Sequence, residues 1–502
     1  MRQAGVLMAV SSLPSEYGIG CFSKEAYEFV DALKEAGQSV WQILPLGPTS
    51  YGDSPYQSFS TFAGNPYFID PKTLIKKGYI TKRKCDGYDF GKDVKKTDYA
   101  KIYRSRFRLL REAFKRFDTG DKAFLKFVKD NDHWLYDYAL YMSVKNSFKN
   151  KSWQEWDDDI RLREKRALER YSEKFSEDIL FYEFLQFEFY EEWKELKKYA
   201  NKNGISIVGD IPIYVALDSA DTWANPGLFQ FDGELHPKAV AGCPPDAFSA
   251  DGQLWGNPLY DWEKHKSTGY KWWLKRLSSC FELYDVVRID HFRGFDEYYS
   301  IPFPAKNARN GSWKKGPGYD IFKVMKEKLG ERAVIAEDLG FLTPSVLKLV
   351  KRSGYPGMKV LQFAFDSREE SDYLPHNYKA NSVVYTGTHD NDTTMHWYEV
   401  LSAKDRKFAN DYLDIGKNVK STELPWIFIR AAYSSVSELA VIPMQDILSL
   451  GGEARMNTPS TLGGNWEWRM KPGAFTQAKQ KKLYKMTKLY GRLPKEIKGV
   501  GH

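Results

Sequence analysis

Residues 285–294 read Asp-Val-Val-Arg-Ile-Asp-His-Phe-Arg-Gly. Val286, Val287 and Ile289 are strand formers, and alternate side chains of a strand share a face. Val286, Arg288 and Asp290 therefore point one way, and Val287 and Ile289 the other. A guanidinium and a carboxylate at the end of an apolar strand are costly to bury unless they are paired or used. The rest of the chain reads as a scaffold that places other groups around Asp290.

Outward from this stretch, strand-like and helix-like segments alternate, the pattern of parallel βα units. Strands are expected at 5–11, 39–46 and 205–211, then at 284–290, and then at 332–337, 359–365, 381–387 and 438–445. Helices are expected at 23–36, with Ala26, Phe29, Val30 and Leu33 on one face and Gly37 as the stop, and at 185–200 and 319–329. Thr343-Pro344 gives an N-cap followed by proline at the first helical position. Eight strand segments with intervening helices predict an α/β fold, a (β/α)8 TIM barrel. A doubly wound open sheet is the alternative. No Gly-x-Gly-x-x-Gly or Walker loop follows any strand, which argues against it.

Three stretches depart from the repeat. Residues 51–70 are rich in Gly, Ser and Pro, as functional loops often are. Residues 101–118, 121–146 and 158–175 read as charged amphipathic helices, and residues 217–262 as a loop-rich excursion. The expected organisation is barrel strands one and two in 1–75, an inserted helical subdomain in 76–182, and the rest of the barrel in 183–502 with a covering loop at 217–262.

The 502 residues suffice for one large domain with insertions. The 74 Lys and Arg against 66 Asp and Glu leave a net charge of +8, spread along the chain, which gives no reason to expect a nucleic-acid partner. No apolar run approaches the ~18 residues of a membrane span, and the amino terminus does not read as a signal peptide. Cys21, Cys85, Cys243 and Cys280 are scattered without a Cys-x-x-Cys pair, so neither a disulfide framework nor a zinc site is expected and a reducing cytoplasm fits. Aromatic residues reach 16%, with 15 Trp, enough for sugar-stacking surfaces as well as a core.

Barrel active sites lie at the C-terminal strand ends. Those ends carry Asp210 on strand three, Arg288, Asp290 and His291 on four, Glu337 and Asp338 on five, Asp366 on six, and His389, Asp390 and Asp392 on seven. A lone acid at a strand end is commonly a helix cap or a salt-bridge partner, but acids converging from several strands demand a use. Strand parity admits only one of Glu337 and Asp338 to the centre. Exchange at a glycosidic bond needs one carboxylate to attack the anomeric carbon and another to protonate the leaving oxygen. Further carboxylates stabilise the cationic transition state. An arginine beside the nucleophile keeps it ionised, and Arg288 shares the face of Asp290. A metal site is the other use of such a cluster. The absence of His-x-His and His-Glu-x-x-His, and the presence of Arg288, argue against it, so no metal is expected.

Several stretches resemble the amylomaltase family, the 4-α-glucanotransferases or disproportionating enzymes related to the α-amylase clan. They are Val-Val-Arg-Ile-Asp-His-Phe-Arg-Gly (286–294), Ala-Glu-Asp-Leu-Gly (336–340), Gly-Thr-His-Asp-Asn-Asp-Thr (387–393) and Gly-Asp-Ile-Pro-Ile-Tyr-Val (209–215). Ser-Ser-Leu-Pro-Ser (11–15), Asp-Ser-Pro-Tyr-Gln (53–57), Pro-Pro-Asp-Ala-Phe-Ser (244–249) and Gly-Gln-Leu-Trp-Gly-Asn-Pro-Leu-Tyr (252–260) extend the likeness over nearly the whole chain.

The resemblance implies that Asp290 is a nucleophile, Glu337 a general acid/base and Asp390 a transition-state stabiliser. It places Arg288, His389 and Asp210 around the cleaved bond, and Tyr56, Ser54, Phe248, Gln253 and Trp255 along the glucan groove. His291 and Asp366 are added as substrate-binding candidates from their strand-end positions. The expected partners are α-1,4-glucans (maltodextrins, starch or glycogen fragments), with glucose as an acceptor and no cofactor. A monomer or weak homodimer in the cytoplasm is expected, with no nucleic-acid or membrane partner. Two other readings remain at this point: a retaining α-glucan hydrolase of α-amylase type, and a non-enzymatic glucan-binding protein. The residues alone do not choose sugar over water as the acceptor; the resemblance does.

Overall fold

A computed structural model describes residues 2–50, 52–245, 250–340 and 342–494. The strands, in chain order, are β1 (Gln3–Leu7), β2 (Val40–Gln42), β3 (Ser206–Pro212), β4 (Ala239–Cys243), β5 (Gln253–Pro258) and β6 (Val286–Asp290). They continue as β7 (Glu297–Pro302), β8 (Ser312–Lys315), β9 (Val334–Ala336), β10 (Gly357–Val360), β11 (Ser382–Tyr385) and β12 (Leu439–Pro443). Eight of them form one parallel sheet in the order β10-β11-β12-β1-β2-β3-β6-β9. Its two edges meet: the Ala336 N–H donates to the Pro356 carbonyl at 3.0 Å, and the Met358 N–H donates to Asp338 Oδ1 at 2.7 Å. The expected barrel is therefore present, and Asp338, facing away from its centre, helps close the β9–β10 seam.

The helices follow from the sequence patterns. Lys24–Glu35 buries Ala26, Phe29, Val30 and Leu33, and Gly37 turns the chain at φ +70°. Pro344–Ser353 begins at Thr343, whose hydroxyl accepts from the Val346 N–H. Gln477–Leu489 returns to the first helix side of the barrel, where Gln38 donates to Thr487 at 3.0 Å.

Several boundaries differ from expectation. The helix expected at 185–200 begins at Ser176 and runs to Lys202. Its first half packs Phe184 against Phe114 and Phe117, and its second half sends the Trp193 indole to the Leu283 carbonyl at 3.0 Å. One helix thus serves both the insertion and the barrel. The segment expected as a helix over 121–146 is two, Lys122–Asp130 and Leu135–Ser147, because Asn131 turns back onto the Phe127 carbonyl. The segment at 158–175 breaks at Arg163, which adopts φ +57°.

Residues 217–262, expected as loops, contribute β4 and β5 to a second, antiparallel sheet, β5-β4-β7-β8. Ala-Val-Ala-Gly-Cys and Gln-Leu-Trp-Gly-Asn-Pro lack the strict alternation that marks a strand. Strand six is Gly357–Val360, and a 3₁₀ turn, Leu361–Phe363, occupies most of the rest of the expected span. Among the described residues no helix is long and apolar enough to cross a membrane.

Candidate active site

Register places the charged side chains. Across the parallel pair β3–β6, Asp210 aligns with Arg288 and Pro212 with Asp290. Across β6–β9, Arg288 aligns with Ile335. Aligned residues of neighbouring parallel strands point to the same side, so Asp210, Arg288 and Ile335 form one inward layer. One step beyond the last aligned pairs, the Glu337 N–H donates to the Ile289 carbonyl at 3.1 Å, setting Glu337 beside Asp290 at the barrel mouth.

Arg288 is almost wholly buried. Its Nη1 donates to both oxygens of Asp210, at 2.6 and 2.7 Å, and lies 2.9 Å from Asp290 Oδ1. The Asp210 side chain is 0% exposed, whereas that of Asp290 is 28% exposed. Asp210 therefore serves as a fixed internal counter-charge, and Asp290 opens to the cleft. The Tyr56 hydroxyl donates to Asp210 Oδ2 at 2.8 Å and lies 3.4 Å from His389 Nδ1, with the two rings stacked at 5.0 Å. Ser54 shapes the turn that presents Tyr56, its Oγ accepting from the Tyr56 N–H at 3.2 Å.

Glu337 is held by two backbone donors, the His291 N–H at 2.7 Å on Oε2 and the Leu339 N–H at 2.8 Å on Oε1. His291 adopts φ +54°, a left-handed turn that aims its N–H at Glu337. On its other side, the His291 ring meets Trp255 edge-on at 4.8 Å, and the Trp255 indole donates to Gln253 Oε1 at 3.0 Å. These two residues of β5 thus reach the site from the second sheet.

The third carboxylate is Asp390. His389 Nε2 lies 3.1 Å from its Oδ2, and the Asn457 amide donates to its Oδ1 at 2.7 Å. Arg455 donates to the Asp390 carbonyl at 3.0 Å and also pairs with Asp392 at 3.3 Å. Trp466 closes the wall near Tyr56 and His389, with ring centroids 5.8 and 5.9 Å away. Asn457, Arg455 and Trp466 were not anticipated. They lie beyond β12, the eighth strand, whose acid Asp446 is taken up by Thr386 and Thr394 and gives no pointer to them.

The environments separate the three acids. Burial pushes Glu337 up to about 7, helped by the neighbouring Asp290 and only partly opposed by Arg288 and the two N–H donors. Burial also raises Asp290, but Arg288 holds it lower, at about 6. For Asp390, burial is outweighed by His389, the Asn457 amide and Arg288, and the carboxyl falls to about 2. The guanidinium 2.9 Å from Asp290 favours its ionised form, whereas Glu337 has backbone N–H donors and the neighbouring Asp290 charge, which favours its protonated form.

One expected site residue does not join the cluster, and another is not described. Asp366 follows the 3₁₀ turn after β10 and pairs with Arg368 at 2.6 Å, so it is not a strand-end residue. Phe248 lies outside the described residues.

Three comparisons give the family. The profile described as 4-alpha-glucanotransferase matches residues 8–476. The chain belongs to the 4-alpha-glucanotransferase family. The 4-alpha-glucanotransferase of Clostridium butyricum is 50% identical over 487 residues, covering 97% of this chain and 100% of its own. That of Thermus thermophilus is 45% identical over 501 residues, covering 98% and 99%. The amylomaltase from Streptococcus agalactiae in complex with acarbose superimposes with a TM-score of 0.95 at 43% identity, over 98% of this chain and 100% of that one. The amylomaltase from Corynebacterium glutamicum, at 19% identity and a TM-score of 0.80, covering 98% of this chain and 75% of its own, shares the fold. Within the 4-alpha-glucanotransferase family the chain is thus an enzyme of glucan transfer, and the hydrolase and binding-protein readings are not favoured.

Proposed function

We propose that Asp290, Glu337 and Asp390 carry out a retaining transfer between α-1,4-linked glucans. The observation that supports these roles best is the contrast between two adjacent carboxyls: Asp290 has a guanidinium at 2.9 Å, and Glu337 is held by the backbone N–H groups of His291 and Leu339. Asp290 attacks C1 of the donor sugar as the bond from C1 to the glycosidic oxygen breaks. Glu337 gives its proton to that oxygen, and the shortened glucan leaves by its new 4-hydroxyl. A glycosyl ester on Asp290 remains. Glu337, now ionised, takes the proton from the 4-hydroxyl of an acceptor, whose oxygen displaces Asp290 from C1. Two inversions restore the α configuration.

Asp390, kept ionised by His389 and Asn457, faces the positive charge that spreads over C1 and the ring oxygen. Arg288 steadies the Asp290 carboxylate as it regains its charge in the second step. Tyr56 and His389 line the donor sugar, the expected Asp210 acts only from beneath through Tyr56 and Arg288 because its side chain is fully buried, and Trp255 and Gln253 favour a sugar over water on the acceptor side. Maltodextrins and starch or glycogen fragments are the donors of this reading, with glucose among the acceptors.

Maltotriose tests it. The enzyme should yield glucose plus longer maltodextrins, with total reducing ends constant. A steady rise in reducing ends would make it a hydrolase instead. Asp290→Asn should lose all turnover with the fold intact by circular dichroism; near-full activity in that variant would remove Asp290 from its role.

A further inference from the structure

Asp392 stands beyond the end of strand seven beside the reacting acids, yet the mechanism gives it no task. Both of its oxygens have partners. Oδ1 accepts the Thr393 N–H at 2.8 Å, while Oδ2 lies 2.6 Å from His396 Nδ1 and accepts from Arg455 Nη1 at 3.3 Å. Its main chain is held as well, the Gln362 amide donating to its carbonyl at 2.8 Å. The Asp392 side chain is 12% exposed, against 44% for Asp390. A carboxyl so enclosed, with both oxygens engaged, is built to hold something in place.

What it holds is Arg455. The three guanidinium nitrogens each donate to a different residue: Nη1 to Asp392, Nη2 to the Asp390 carbonyl at 3.0 Å, and Nε to the Asn457 carbonyl at 2.8 Å. Asn457 is the residue whose amide donates to Asp390 Oδ1 at 2.7 Å. Arg455 thus grips the main chain on both sides of that bond, at the acid and at its donor. The two partners come from separate segments, one after β11 and one beyond β12. His396, on the helix Thr394–Val400, lies against the second segment, where a Cβ on Gly452 would sit 2.8 Å from its Nδ1. Glycine at 452 allows that close approach.

A guanidinium presents its donors in a rigid planar fork. With Nη1 anchored on Asp392, the directions of the other two donors are set. An acid that stabilises a transition state must face the point where charge develops, and a misplacement of about 1 Å costs on the order of 100-fold in rate. We propose that Asp392 and Arg455 are positioning residues for Asp390. The Asp392 carboxyl orients the guanidinium, and the guanidinium fixes Asp390 against Asn457 and so aims the Asp390 carboxylate at the cationic sugar. This rests on the role given to Asp390 above, and neither residue is assigned a contact with the glucan.

Steady-state disproportionation of maltotriose by Arg455→Met and Asp392→Asn tests the proposal, with kcat taken per folded enzyme. In Arg455→Met, kcat should fall about 10- to 100-fold while KM stays within about threefold, because the defect lies in the transition state. The two pH limbs should not move. α-Maltosyl fluoride should be impaired as much as maltotriose, since Asp390 faces the same charge with either donor. Arg455→Lys keeps the charge but not the fork, and should stay within about threefold of Arg455→Met. Asp392→Asn keeps the side-chain size and should also lose kcat with KM little changed, which carries the test should Arg455→Met not fold. Added to Asn457→Ala, Arg455→Met should deepen the loss by less than about threefold, because both act on one bond. Native kcat in either single variant, a loss carried by KM, full recovery in Arg455→Lys, or losses that multiply with Asn457→Ala would overturn it. Asp390→Asn separates the two readings. Near-full activity there would remove Asp390 from its role, whereas an inactive Asp390→Asn beside a native Arg455→Met would overturn the positioning alone.

Discussion

Arg288→Met would remove the cation that pairs with both Asp210 and Asp290 while keeping much of the side-chain volume. At 2.9 Å and an effective dielectric constant of about 20, two unit charges attract by about 6 kcal/mol. One pH unit corresponds to about 1.4 kcal/mol, so the full attraction is worth more than three units. Partial exposure of Asp290 and water entry reduce this, and a rise of at least about two units is expected. Asp290 would then titrate above Glu337 instead of below it. The productive form, Asp290 ionised and Glu337 protonated, would become a minority, and kcat/KM should fall by roughly 100-fold or more.

The fold should suffer too, because two carboxylates lose their cation; removing one partner of such a buried pair costs about 3–5 kcal/mol. The sign with pH is fixed. A carboxyl whose folded pKa is raised costs the folded state stability as pH climbs from the unfolded value towards the folded one. The variant should therefore be least destabilised near pH 4 and most above pH 7. The assays are the pH profile of maltotriose disproportionation and urea midpoints across the same range. Arg288→Lys keeps the charge but not the geometry, and should recover part of both. An Arg288→Met enzyme with native stability and an unmoved acid limb would refute the electrostatic argument.

Other expectations concern single contacts. The native enzyme should show a bell-shaped profile, its acid limb set chiefly by Asp290 and its basic limb by Glu337; Glu337→Gln should abolish the basic limb and spare reaction only with donors whose leaving group needs no proton, as α-maltosyl fluoride would show. Asn457→Ala removes the 2.7 Å donor to Asp390, a charge-assisted bond worth about 1.5–3 kcal/mol, and kcat should drop about 10- to 100-fold with KM changing less. Gly209→Ala would set a Cβ 2.1 Å from the Tyr284 ring and push β3 with Asp210; a melting temperature equal to native would contradict this close packing. His265 is fully buried, with its pKa depressed to about 4. Stability should be complete above about pH 6.5 and decline towards pH 4, by up to about 3 kcal/mol, and His265→Phe should flatten that decline in acid urea titrations.

The sequence by itself determined the barrel and its acids, because both rest on short-range rules. Strand parity put Arg288 with Asp290 and Glu337 with Ile335, and the observed register agrees. Alternation of strands and helices gave eight parallel strands, whose ends carry the acids. Motif resemblance supplied the family. Where local pattern was ambiguous, the reading failed. Strand six ended early in a 3₁₀ turn, which left Asp366 with Arg368, and glycine-rich β4 and β5 showed no alternation.

Only the tertiary structure decided which distant groups support the acids. Asn457 reaches Asp390 across 67 positions of chain, and Tyr56 reaches Asp210 across 154. No periodicity encodes such pairs, since they arise when the barrel closes. The pKa order of Asp290 and Glu337 has the same origin. The two residues are alike as free side chains, and burial beside one arginine separates them.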